Sequence, residues 1–173
     1  MNKFKILKII NIFLILFFLG LLLWLFDQNF SLNGQLVIKS NLTKDLPMIS
    51  KLGPEGRVNL RQSETLILDS PVYFDLRTMP WFKTARMILV YRSDGRILSG
   101  IGSQTGPGFS FAVQEPLAVN QRDDGDSEAV FDFNLASVYR DKNVTRFLID
   151  STSLKDEVGN TISLKSLEII LTR

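Results

Sequence analysis

A chain of 173 residues with no cysteine and no histidine has room for one domain. It excludes disulfide frameworks, cysteine-linked lipid anchors, thiolate or imidazole metal sites, cysteine nucleophiles and Ser-His-Asp triads. The net charge of +2 comes from the first residues: Lys3, Lys5 and Lys8 precede every acid, and the remainder carries seventeen basic against eighteen acidic side chains, net −1. That remainder lacks the basic footprint of phosphate-backbone binding, which excludes nucleic acid as a partner.

In chain order, residues 1–8 read as a basic cytoplasmic stub. Residues 9–26, IINIFLILFFLGLLLWLF, carry no charge, and Asn11 is their one strongly polar side chain. As a helix, this run spans about 27 Å, close to the ~30 Å hydrocarbon core of a bilayer. Lysines before the run and Asp27 after it place the N-terminus in the cytoplasm and the rest of the chain outside the cell membrane, by the positive-inside rule. The run exceeds the h-region of a signal peptide, and no small-x-small exit follows it, so it reads as an uncleaved single-pass anchor in the bilayer. Residues 27–34 form a short tether.

From residue 35 the apolar period changes to that of strands. Expected strands cover 35–39, 57–60, 65–68, 72–77, 85–92, 97–101, 109–113, 129–135, 146–150 and 166–171. Residues 42–56, with Pro47, Gly53, Pro54 and Gly56, read as irregular chain, and 137–143 as a short helix or a crossover. Val72, Phe74 and Leu76 alternate with Tyr73, Asp75 and Arg77; Phe131, Phe133 and Leu135 alternate with Asp132 and Asn134. Period two with one wet face belongs to an antiparallel sandwich. Residues 87–91 are apolar on both faces, as in a central strand covered on both sides. The expected fold is an all-β antiparallel β-sandwich over 35–173, outside the membrane, preceded by one transmembrane helix.

Three segments carry a resemblance: Tyr73-Phe74-Asp75-Leu76-Arg77; residues 82–91, FKTARMILVY; and the ending that pairs 147–152, FLIDST, with 159–171, GNTISLKSLEIIL. Together they resemble membrane-anchored relatives of galactose-binding-like, carbohydrate-binding-module jelly rolls. The resemblance implies a jelly-roll-like sandwich with an extended strand before a buried central one, closed by an apolar edge strand. It also implies sugar-binding aromatics on a sheet face or rim and, in some relatives, a structural calcium.

Candidate ligand-binding residues are Trp81, Tyr73, Asp75 and Tyr91. An indole at a loop rim offers a flat apolar surface and one N–H for stacking on a sugar; the alternative is that Trp81 and Phe82 cap the core. Asp75 reads either as part of a polar site or as a surface ion pair with Arg77. No cofactor is expected; Asp123, Asp124, Asp126 and Glu128 read as a solvated turn, with calcium as the alternative because they offer oxygens to it, although their spacing is not that of an EF-hand. Asn41-Leu42-Thr43 and Asn143-Val144-Thr145 match the N-glycosylation sequon.

The expectation is a non-enzymatic, membrane-anchored binding or scaffolding domain for glycan or envelope polymer. The alternative is a docking subunit for a membrane protein partner. A hydrolase built on carboxylates comes third.

Overall fold

The computed structural model describes residues 3–29, 34–153 and 159–173. The chain divides into two units, Met1–Leu36 and Val37–Arg173. In the first, helix α1 runs from Lys3 to Asn29, three residues into the expected tether, whose residues 30–33 lie outside the described ones. Its stretch Leu7–Trp24 is long and apolar enough to cross a membrane and has no buried residue.

The second unit is an antiparallel β-sandwich. Its strands are β1 (Gln35–Ser40), β2 (Val58–Leu60), β3 (Thr65–Ile67), β4 (Val72–Arg77), β5 (Thr84–Asp94), β6 (Arg96–Gln104), β7 (Phe111–Gln114), β8 (Ala118–Gln121), β9 (Ser127–Asn134), β10 (Val144–Ser153) and β11 (Thr161–Thr172). The larger sheet has the order β2-β3-β11-β5-β9-β8, with β1 also paired to β11; the smaller is β4-β10-β6-β7. Every expected strand has a counterpart, although the one expected from residue 109 begins at Phe111. β8 was not expected: Ala118, Val119, Asn120 and Gln121 are all exposed, so no apolar alternation marks them. Residues 137–143 form turns rather than a helix.

The alternation read from the sequence is what builds the core. Val72, Phe74 and Leu76 of β4 and Phe131 and Phe133 of β9 are buried, with Leu135 just beyond. Phe147 of β10 stacks on Phe74 at 5.6 Å between ring centroids and meets Phe133 edge-on at 5.0 Å, joining the two sheets. Two expectations are corrected. The closing strand β11 is not an edge; it lies inside the larger sheet, with β5 along one side and β3 and β1 on the other. β5 is central, but only one of its faces is buried, through Ala85, Met87, Leu89 and Tyr91, while Ile88 and Val90 on the other face are half-buried.

The irregular stretch after β1 has a definite role. Met48 to Gly53 hydrogen-bonds along the free side of β4: Arg77 N donates to Met48 O, Ser50 N to Asp75 O, and Tyr73 and Gly53 exchange N–H···O bonds of 2.7 and 3.0 Å. This satisfies an edge that would otherwise invite another strand, and it raises a wall beside the outer face of the smaller sheet.

Candidate functional site

Side-chain parity sends Tyr73 and Asp75 of β4 to the outer face of the smaller sheet. Register aligns Tyr73 with Leu148, Leu148 with Gly102, and Gly102 with Val113, one row across four strands. A Cβ at Gly102 would stand 3.0 Å from Leu148 Cδ2 and 3.1 Å from Val113 Cγ2, so the side chains of β10 and β7 close in over β6 where it carries none. On the same face the Tyr73 and Phe111 rings reach each other, 5.8 Å between centroids. Their strands are three apart, roughly 14 Å at the usual spacing, so the two rings lean together over the row. Leu148 beneath them is consequently buried although it faces outward.

Phe109 joins this cluster from the loop before β7, its ring 6.3 Å from Tyr73. It is 81% exposed, the most exposed large apolar side chain among those described. The loop is fixed by a Thr105–Ser110 hydroxyl pair at 2.9 Å and by Gln104 Nε2 donating to Gly108 O at 2.8 Å. Gly108 has φ +82°, a backbone conformation open to glycine without strain.

Beside the aromatics, Asp75 and Arg146 stand directly opposite on β4 and β10. Arg146 Nε donates to Asp75 Oδ1 at 2.8 Å and Nη2 to Oδ2 at 3.1 Å, a two-pronged pair. Hydrogen bonding to Asp75 raises the guanidinium above its ordinary value. Asp75 N also donates to Ser50 Oγ at 2.8 Å, tying the strand to the wall. A cavity of about 630 Å³ lies between the wall and the Tyr73–Phe109 cluster. A second, of about 480 Å³, opens on the other side of the pair, lined by Gln104, Gly108, Tyr139, Lys142 and Val144. Asp75 and Arg146 border both, and each cavity is within the size range of ligand sites.

The structure brings together two of the four expected ligand residues, Tyr73 and Asp75. Asp75 pairs with Arg146 and not with Arg77, whose guanidinium points to Leu46 O and Pro47 O at 3.5 Å. Tyr91 is 7% exposed inside the sandwich, hydrogen-bonded to Ser127, and burial pushes its phenol above the ordinary value. Trp81 is 41% exposed in the β4–β5 connection, its ring beside Phe82, and lines neither cavity. Sequence reading missed Phe109, Phe111 and Arg146. The i, i+2 spacing of Phe109 and Phe111 after Gly106-Pro107-Gly108 was an available signal for the two rings; nothing local marked Arg146.

The acidic turn is organised by arginines. Arg92 Nε donates to Asp126 Oδ1 at 2.7 Å, and Arg122 approaches Asp124 at 3.3 Å and Glu128 at 3.9 Å. Asp126 N donates to Asp124, a backbone bond that lowers the Asp124 carboxyl below its ordinary value. Among the described residues no three acidic side chains gather as a metal ion requires. In the first sequon, Asn41 Oδ1 accepts from Thr43 and Asn41 Nδ2 donates to Gln62 O.

Fold and site together define an antiparallel β-sandwich domain with a loop-walled aromatic groove, preceded in the chain by an apolar N-terminal helix. The chain is similar to a family two carbohydrate esterase from Cellvibrio japonicus, at 14% identity and TM-score 0.38 over 80% of this chain; it spans 34% of that protein. It is also similar to the N-terminal cellulose-binding domain of Cellulomonas fimi β-1,4-glucanase C, at 10% identity and TM-score 0.36, covering 75% of this chain and 90% of that one. A third similar structure is CpGH89CBM32-6 of Clostridium perfringens, at 14% identity and TM-score 0.30, with 79% and 93% covered. No protein-family model and no curated protein sequence matches the chain.

Proposed function

We propose that the protein is a non-catalytic, membrane-anchored module that binds glycan in the groove of its smaller sheet. Helix α1 holds it on the outer side of the membrane. One observation carries the reading: an exposed ring, Phe109, stands against Tyr73, which also meets Phe111, beside a fixed two-pronged ion pair. Sugars present apolar C–H faces and a rim of hydroxyls. Aromatic rings suit the faces, and the remaining lone pairs and N–H groups of a held Asp–Arg pair suit the hydroxyls.

The test is retention of the full-length protein, in non-ionic detergent, in gels containing hydroxyethyl cellulose, galactomannan, dextran or polygalacturonate. The unsubstituted protein is retained by at least one of them. Phe109→Ala loses retention without lowering the thermal midpoint, because the ring buries little. Failure of the unsubstituted protein on all four polymers overturns the reading.

A second reading, docking to a protein partner, is favoured by two edge strands. Among the described residues β7 and β8 each end their sheet, and Val113, Leu117 and Val119 are exposed on and between them. An unpaired apolar edge is a template for an added strand. Val119→Lys disrupts that association, read by sedimentation, and leaves glycan retention intact.

A further inference from the structure

On the glycan reading of the groove, the charges around it name the class of glycan. The larger cavity is bordered by three cations, Lys51, Arg57 and Arg146, and by three carboxylates, Asp45, Glu55 and Asp75. The smaller one is bordered by Lys142 and Arg146 against Asp75 and Asp141. The two sides balance, and the cations of the larger cavity are engaged. Lys51 Nζ donates to Glu55 at 2.9 Å; Arg57 Nη1 donates to Pro71 O at 2.9 Å, with its Nε 3.9 Å from Asp69.

The decisive group is Arg146. It is the cation shared by both cavities, and a planar anion would bind it through two parallel N–H groups. Asp75 already occupies Nε and Nη2 in that geometry. An incoming carboxylate, sulfate or phosphate would find only the end-on N–H groups of Nη1 and Nη2, on a guanidinium whose charge Asp75 already offsets, and would lie close to the Asp75 carboxylate. A hydroxyl meets no such repulsion, because it donates to the free lone pairs of Asp75 or accepts from the N–H groups that remain. We propose that Asp75 sets specificity: by pairing with Arg146 and offsetting its charge it restricts the groove to neutral glycans and excludes acidic ones.

The experiment compares retention by neutral polymers (hydroxyethyl cellulose, galactomannan, dextran) and by polygalacturonate, for the full-length protein in non-ionic detergent. The unsubstituted protein is retained by a neutral polymer independently of salt and passes polygalacturonate. Asp75→Asn removes the offsetting charge, and apparent affinity for polygalacturonate rises by roughly tenfold or more at low ionic strength, a gain that added salt removes. Asp75→Asn combined with Arg146→Gln loses the gain. Asp75→Ser serves in place of Asp75→Asn if the latter lowers the thermal midpoint. Equal retention of the unsubstituted protein by neutral and acidic polymers overturns the proposal, as does a folded Asp75 variant with no gain on polygalacturonate; both leave the glycan reading standing. Retention by none of the polymers overturns the glycan reading and this proposal with it.

Discussion

The outer faces of the two sheets carry the same device in different surroundings. On the larger sheet Arg86 faces Asp132 across β5 and β9 and donates from Nε and Nη2 at 2.8 Å each. On the smaller sheet Arg146 faces Asp75 across β10 and β4 with nearly the same geometry. The first pair stands on an open face beside half-buried Ile88 and Val130. The second lies between a wall made by residues 48–53 and a loop that presents Phe109. A cross-strand ion pair is therefore not a site by itself. Loops make it one, by enclosing volume beside it and by bringing aromatic rings that neither strand of the pair supplies in full.

The largest expected effect concerns what the two faces share. Phe147 contacts Phe74 and Phe133 between the sheets, so Phe147→Ala leaves a cavity and costs about 3–5 kcal/mol. Urea denaturation measures it. A loss under about 1 kcal/mol would break the claim that one core supports both faces.

Next, Phe109→Ala separates binding from stability. Phe109 is exposed, so glycan retention falls while the thermal midpoint holds, whereas Ile88→Ala on the opposite face leaves retention unchanged. Loss of retention in both variants would show that the two faces do not differ as described.

Acid acts on the larger sheet through Glu64. Hydrogen bonds from Lys165 and Ser163 on β11, and a weaker one from Arg61, hold its carboxyl down from an ordinary 4.5 to about 2. A depressed carboxyl contributes stability that is fully present above the unfolded-state value and is lost as pH falls from about 4.5 through about 2. Glu64→Gln therefore flattens the fall of the denaturation midpoint across that interval. An equally steep fall in the variant would remove Glu64 from the account.

The smallest effect is on the pairs themselves. Both are open to solvent, and such pairs contribute about 0–1 kcal/mol. Arg86→Gln and Arg146→Gln should thus shift unfolding by similar small amounts, and only Arg146→Gln should change retention on the neutral polymers. A change in retention from Arg86→Gln would erase the distinction between the faces.

What the sequence determined by itself is what repeats locally. The apolar run that becomes α1, the period-two patterns of β4 and β9, and the turn residues between strands each follow from a few neighbouring side chains, because burial of one face is written into alternation. That sufficed for the sandwich, for the inward side of Phe74 and Phe131, and for the outward side of Tyr73 and Asp75. It failed for β8, which has no buried face to write, and for β11, whose apolar pattern is the same whether its sides are paired or free. The groove was legible only in part. Arg146 lies 71 residues from Asp75, and the pairing of β10 with β4 alone makes them partners. Phe109 and Phe111 meet Tyr73 because β7 and the loop before it share the outer face of the smaller sheet with β4. Tyr91 looked like a sugar platform in sequence, but its place on a central strand turned it inward. Strand pairing and register join residues that no local pattern connects, so the tertiary structure alone decided which side chains share the groove.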